Sequence, residues 1–187
     1  LREQICDVMA LEGIRAHPDD VIITTGSQQA LDLISRIFLD PGDVVLVEAP
    51  SYVGALGTFH QYEGKVVHVA MDNNGLIPDA LREAIKVTRA AGHKIKFLYL
   101  IPNYQNPAGV LLSPERRTEI LEICREAAIF VIEDNPYGLL GFDGPSPNAM
   151  RAEDSENVIY LGSFSIVIFF AGSYFFAKWW PKGVTKL

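Results

Sequence analysis

Three short stretches of this 187-residue chain end an apolar run in groups able to hold an anion or manage a proton. In TTGSQQALDLI, a strand-like run closes at Thr25, Gly26 permits a tight turn, and Ser27 with Gln28 opens a helix. The first N–H groups of a helix lack intrahelical acceptors and sit at the positive end of its dipole, so this turn suits a phosphate. In IPNYQNPAGVLLSPERR, the apolar run 95–101 empties into Pro102, Asn103, Asn106, Pro107 and Gly109, a rigid loop in which Pro107 holds Asn106 at a strand end. In FVIEDNPYG, the run 129–132 delivers Glu133 and Asp134 to the sheet's C-terminal edge, with Tyr137 beyond a turn fixed by Pro136.

Taken singly, each stretch has a plainer reading. Gly-Ser before a helix is more often an ordinary turn and N-cap, Asn-Pro an Asx-type turn, and a strand-end Asp a cap. Their coincidence breaks the tie, because the carboxyl edge of an open α/β sheet is where such folds bind ligands. Neither G-x-G-x-x-G nor G-x-x-x-x-G-K-[ST] occurs, which argues against a dinucleotide or ATP.

The elements that must position these groups alternate along the chain. Runs at 21–23, 44–47, 66–69, 95–101, 129–132 and 158–161 read as strands, several too apolar to have a wet face, and therefore as buried parallel strands. Between them, 28–38, 52–62, 78–90 and 114–127 read as helices, the last two opened by Pro78 and by an N-cap Ser113 before Pro114. Such alternation implies a doubly wound α/β sheet. The stretch 141–156 reads as a polar loop. The first residues, with Leu1, Ile5, Val8 and Met9 at helical spacing and Gly13 as a stop, look like the interior of a domain, so an N-terminal portion is expected upstream.

A hydrophobic content of 49% over this length predicts one large domain, and a net charge of -7 offers no basic footprint for nucleic acid. Cys6 and Cys124 make no disulfide framework or zinc spacing, His17, His60, His68 and His93 are scattered, and no metal is expected. With no signal-peptide pattern visible, the chain reads as cytoplasmic.

The motifs TGSQQAL, APSYVGAL, PNYQNPAG, IEDNPYG and YLGSFS, in this order and spacing, resemble the large domain of the fold-type I pyridoxal 5'-phosphate enzymes. The chain is similar to class I/II aminotransferases, near the 2-aminoadipate, kynurenine and aromatic branch, from Leu1 to about Ser165. The resemblance implies a three-layer α/β/α domain with a mostly parallel sheet. It implies that Gly26, Ser27 and Gln28 form the phosphate-binding turn, with Ser163 and Ser165 adding contacts, and that Tyr52 stacks on the pyridine face. Asn106 and Tyr137 would hydrogen-bond the phenolic oxygen, and Asp134 would pair with the pyridine nitrogen and keep it protonated. It also implies exchange of an amino group between an aromatic or 2-aminoadipate-like amino acid and a 2-oxo acid, in amino acid metabolism and biosynthesis, by a homodimer. From charge and from the Gly and Ser that punctuate the tail, no nucleic-acid or membrane partner is expected.

The family pattern continues after Ser165 with Lys-x-x-x-Pro-Gly-x-Arg, whereas this chain has Ile166 at the lysine position, Phe170 and Ala171 at the Pro-Gly pair, and Ser173 at the arginine. A break that persists to Leu187 is expected from a lost reading frame or an error in the C-terminal sequence rather than from gradual drift, so residues 1–165 are assigned to the large domain and 166–187 to a divergent apolar tail. Without the lysine that carries the cofactor, the chain as written is expected to be inactive. Three alternatives stay open. The uncharged run 158–177 is long enough for a membrane span, although Gly and Ser punctuate it. The chain could be the effector half of a transcription regulator, although Asn135-Pro136-Tyr137-Gly138 resembles the enzymes. It could also be a catalytically dead remnant.

Overall fold

The apolar runs become strands because both of their faces are covered. In the computed structural model, which describes residues 1–141 and 147–164, β1 (Val44–Ala49), β2 (Lys65–Asp72), β4 (Ile95–Leu100), β5 (Phe130–Asp134) and β6 (Val158–Leu161) are parallel, and a two-residue β3 (Gly75–Leu76) pairs antiparallel with β2. The order across the sheet is β3-β2-β1-β4-β5-β6. Side chains alternate across a strand. Val44, Leu46, Leu98, Leu100 and Val131 accordingly enter one core cluster with Leu81, Ile85, Ile120 and Leu121, while Val45, Val47, Phe97, Tyr99 and Ile132 enter another with Leu31, Ile34, Ala55 and Phe59. The first cluster belongs to α4 (Pro78–Ala90) and α5 (Pro114–Glu126), the second to α2 (Ser27–Phe38) and α3 (Val53–Gln61). The result is the three-layer α/β/α arrangement expected from sequence. Full burial of each such aliphatic side chain contributes roughly 1.5–3 kcal/mol.

Local signals set the helix starts. Pro78 and Pro114 occupy first-turn positions, where a missing N–H costs nothing, and Ser113 Oγ accepts from Arg116 N at 3.4 Å. Gly26 caps α2 at φ 84, a conformation that disfavours any residue with a Cβ. α1 (Arg2–Ala10) ends before Gly13, as its periodicity predicted.

Two expectations need correction, and one strand went unread. Val21–Ile23 is not a strand: it lies outside the sheet among the described residues, with Ile22 82% exposed. A three-residue apolar run carries no periodicity and is weak evidence for a strand. The two residues of β3 were too few to signal a strand. The polar loop 141–156 contains a short helix, α6 (Met150–Glu153), whose first turn is capped from a distance, since Glu133 accepts from the backbone N–H of Met150 and of Arg151, both at 2.9 Å.

Because α3 carries the chain from β1 to one side and α4 brings it back past β1 to β4, the strand order reverses between β1 and β4. The crevice beyond their C-terminal ends is the expected ligand position. Among the described residues, no helix is long and apolar enough to cross a membrane. Ser165, Ile166 and the tail 166–187 lie outside the described residues.

Candidate active site

Asp134 ends β5 at 3% exposure, beside the switch in strand order. Its Oδ2 accepts from the Tyr99 hydroxyl at 2.7 Å, while Oδ1 is buried with no hydrogen-bond partner among the described residues. Burial pushes the carboxyl up to about 6, against the opposing pull of the Tyr99 hydrogen bond. The same burial, with the charge of Asp134, raises the Tyr99 hydroxyl, which therefore stays protonated and donates. A buried acceptor left without a donor costs about 1–3 kcal/mol. Oδ1 is therefore placed to take an N–H from a ligand.

A second orphan lies at the start of α2, where Ser27 Oγ is buried without a partner among the described residues. Together with the uncompensated N–H groups of the first turn after Gly26, it forms a donor set for an anion. Gln28 differs from its neighbours. Its side chain donates to Thr58 Oγ1 at 2.6 Å and to the Gly54 carbonyl at 3.3 Å, tying α2 to α3, so only its backbone N–H is left for the turn.

Tyr52 stands at the N-cap of α3, half-buried, and like Tyr137 it packs against the cluster that holds Tyr99 and Ile132. Its ring folds back over Gly54, where a Cβ would lie 2.5 Å from the Tyr52 Cζ and hydroxyl. The small residue in Ser-Tyr-Val-Gly is thus what allows this tyrosine its position.

Asn106 stands half-buried in the loop after β4, and its neighbour Gln105 anchors the loop. Gln105 Nε2 donates to the Pro50 carbonyl at 2.8 Å and to Glu48 Oε2 at 3.3 Å, while Gln105 Oε1 accepts from Ala108 N at 2.9 Å. Glu48 Oε2 also accepts from Ile101 N at 3.0 Å, and burial raises this carboxyl to about 7. Loops bearing Tyr52 and Asn106 are thereby stitched together across the ends of β1 and β4.

Tyr137, half-buried in the turn after β5, and Ser163, half-buried after β6, complete the predicted set that can be placed. A cavity of about 610 Å³ extends from Gly26 to Ser163 past Asn135. Asp134, Tyr52, Asn106 and Tyr137 are not among its lining residues, so the strand ends rather than this cavity define the candidate site. Sequence reasoning missed Tyr99, Glu48 and Gln105. A tyrosine inside the apolar run IKFLYL was the one available hint, since a buried hydroxyl needs a partner.

The profile of the family "Aminotransferase class I and II" matches residues 1–172. The chain belongs to this family. An aromatic-amino-acid aminotransferase of Thermococcus litoralis is 44% identical over 150 residues, covering 80% of this chain and 36% of that protein. Among solved structures, the alpha-aminoadipate aminotransferase LysN of Thermus thermophilus, complexed with N-(5'-phosphopyridoxyl)-L-leucine, superposes with a TM-score of 0.79 at 38% identity, over 88% of this chain and 41% of that one. An uncharacterized HTH-type transcriptional regulator of Bacillus subtilis is 33% identical over 166 residues, covering 88% of this chain and 33% of the regulator. This class I/II aminotransferase chain thus spans less than half the length of the relatives it matches.

Proposed function

We propose that this chain carries the pyridoxal 5'-phosphate site of an aminotransferase that moves an amino group between an aromatic or 2-aminoadipate-like amino acid and a 2-oxo acid. The observation that carries the reading is Oδ1 of buried Asp134, at the carboxyl edge of the sheet, matched by Ser27 Oγ at a helix N-terminus, both without a partner among the described residues. One fits a protonated ring nitrogen and the other a phosphate. The bound cofactor would supply an electron-accepting ring.

Each residue has a task in this reading. Asp134 holds a proton at the pyridine nitrogen, and Tyr99 supports the carboxylate from behind. Gly26, Ser27 and the backbone of Gln28 take the phosphate, joined by Ser163 and Ser165. Tyr52 covers the ring face. Asn106 and Tyr137 donate to the phenolic oxygen. No lysine stands at position 166, so the chain lacks a base positioned there for the substrate's α-proton, and such a base typically contributes about 10²–10⁴-fold.

Equilibrium dialysis with pyridoxal 5'-phosphate tests the reading. The chain should bind it reversibly, and Asp134→Ala should weaken binding about tenfold or more. No binding by the wild type, or equal binding by the variant, would remove the assignment.

The Bacillus relative favours a second reading, the effector domain of a regulator. Asn135-Pro136-Tyr137-Gly138 supports the enzyme instead, by its resemblance to that branch. The resemblance to the family supports a biosynthetic role and a homodimer in the complete protein, and two cysteines without a disulfide framework support a cytoplasmic location.

A further inference from the structure

Beside Asp134 runs a line of buried polar side chains to which the cofactor reading gives no task. Arg117, on α5 and 1% exposed, donates from Nη2 to Asn103 Oδ1 at 2.6 Å. Asn103 Nδ2 donates to Asn135 Oδ1 at 2.9 Å, and Asn135 Nδ2 donates to Glu12 Oε1 at 2.7 Å. The other Glu12 oxygen accepts from the Tyr160 hydroxyl. A guanidinium only donates and a carboxylate only accepts, so both amides must face the same way. Two amide dipoles thus stand head to tail between a cation and an anion, an arrangement in which each hydrogen bond polarises the next.

The line joins pieces far apart in the chain. Asn103 belongs to the loop that carries Asn106, and Asn135 belongs to the turn that carries Tyr137. Arg117 fixes the first loop further by donating to the carbonyls of Pro102 at 3.2 Å and Leu112 at 3.0 Å. Glu12 lies just past α1, where its own carbonyl accepts from Ala149 N at 2.9 Å. Gly138 is part of the arrangement, because a Cβ there would overlap Glu12 Oε1 and both polar atoms of the Asn135 side chain. The glycine of Asn-Pro-Tyr-Gly is what lets Glu12 reach Asn135.

We propose that Glu12, Asn103, Asn135 and Arg117 are positioning residues that hold the Tyr137 turn in register with the Asn106 loop. Asn106 and Tyr137 are thereby set to address the same oxygen of a ligand. The ligand half of this proposal rests on the pyridoxal phosphate reading; the coupling of the two loops does not.

The coupling is tested in the ligand-free 187-residue chain by amide hydrogen exchange. Asn135→Leu and Asn103→Leu should each raise exchange about tenfold or more in both 102–109 and 135–140, while β1 and β4 keep wild-type protection. A rise confined to the loop bearing the substitution overturns the proposal. If a leucine variant does not fold, Glu12→Leu against Glu12→Gln gives the same comparison, since Gln keeps an acceptor for Asn135 Nδ2 and should retain most of the protection that Leu loses. The positioning is tested by the pH midpoint of the absorbance of bound pyridoxal 5'-phosphate, which follows its phenolic oxygen. Asn135→Leu and Glu12→Leu should raise that midpoint, and Glu12→Gln should restore it. Equal midpoints in all four chains overturn the positioning role. Failure of the wild type to bind the cofactor overturns the cofactor reading instead, and hydrogen exchange then decides the coupling alone.

Discussion

Tyr99 and Asp134 stand on neighbouring strands, and the tyrosine satisfies one carboxylate oxygen while the other has no partner among the described residues. The Tyr99 ring is itself fixed by an edge contact with Phe59, centroids 5.5 Å apart. A rigid, buried donor therefore orients the carboxylate in the ligand-free chain, so that under the proposed reading a cationic ring nitrogen would bind without reorganisation.

Tyr99→Phe removes only the hydroxyl and keeps the ring packing. Asp134 then loses its one hydrogen-bond donor among the described residues, and its carboxyl should titrate still higher, which carbon NMR of the labelled side chain would read. Urea unfolding should show a loss of about 1–3 kcal/mol at pH 8 and less at pH 4.5, where the carboxyl is already protonated. An equal loss at both values would mean that the hydroxyl serves packing and not the carboxylate.

Asp134 also makes a prediction about pH. Its folded value, about 6, lies above its ordinary value, so between about pH 4 and 6 the folded chain holds a proton that the unfolded chain releases. Stability contributed by this group is greatest below that window and falls as pH rises through it, by up to about 3 kcal/mol. Asp134→Asn should therefore flatten the pH dependence and leave the ligand-free chain more stable at pH 8, while weakening pyridoxal phosphate binding. Urea titrations at pH 4.5 and 8 check the first part, and a variant that is less stable at pH 8 would contradict it. The opposition of stability and binding would be the mark of a carboxylate kept for a ligand.

How far the sequence reached can be judged from these same residues. Val44–Val47 and Ile95–Leu100 were legible because a strand buried on both faces must be apolar throughout, and 78–90 because Pro78 and a 3.6-residue period agree. Asp134 and Asn106 were legible as polar groups at strand ends. Their supports were not, because Tyr99 lies 35 residues from Asp134, and Glu12 lies 123 from Asn135. Composition and period report what surrounds a residue along the chain. They carry nothing about which distant side chain completes its hydrogen bonds.

Ser27 and Gln28 have different surroundings at the start of α2, and the proposed division of labour between them can be measured. Ser27→Ala should weaken pyridoxal phosphate binding about tenfold, because it removes a buried donor from the proposed anion site. Gln28→Ala should leave binding within about threefold and instead cost up to about 1.5 kcal/mol of stability, since its amide holds Thr58 of α3. Dialysis and urea unfolding on both variants check this. A large loss of affinity in Gln28→Ala would show that its side chain leaves Thr58 to contact the ligand.

Ile166 sets the expectation for catalysis. An isoleucine can neither carry the cofactor nor take the α-proton of an amino acid, so a coupled assay for glutamate formation should detect no turnover by the chain as it stands. Ile166→Lys should restore covalent attachment, seen as one phosphopyridoxyl mass after borohydride reduction, more readily than it restores turnover. The reason is that Ser173 still stands where the family pattern has an arginine, and the chain covers less than half of its relatives' length. Robust turnover by the unmodified chain would mean that another group does the work expected of a lysine at 166. Attachment without turnover in Ile166→Lys would separate the holding of the cofactor, which residues 26–165 are proposed to perform, from the binding and conversion of an amino acid.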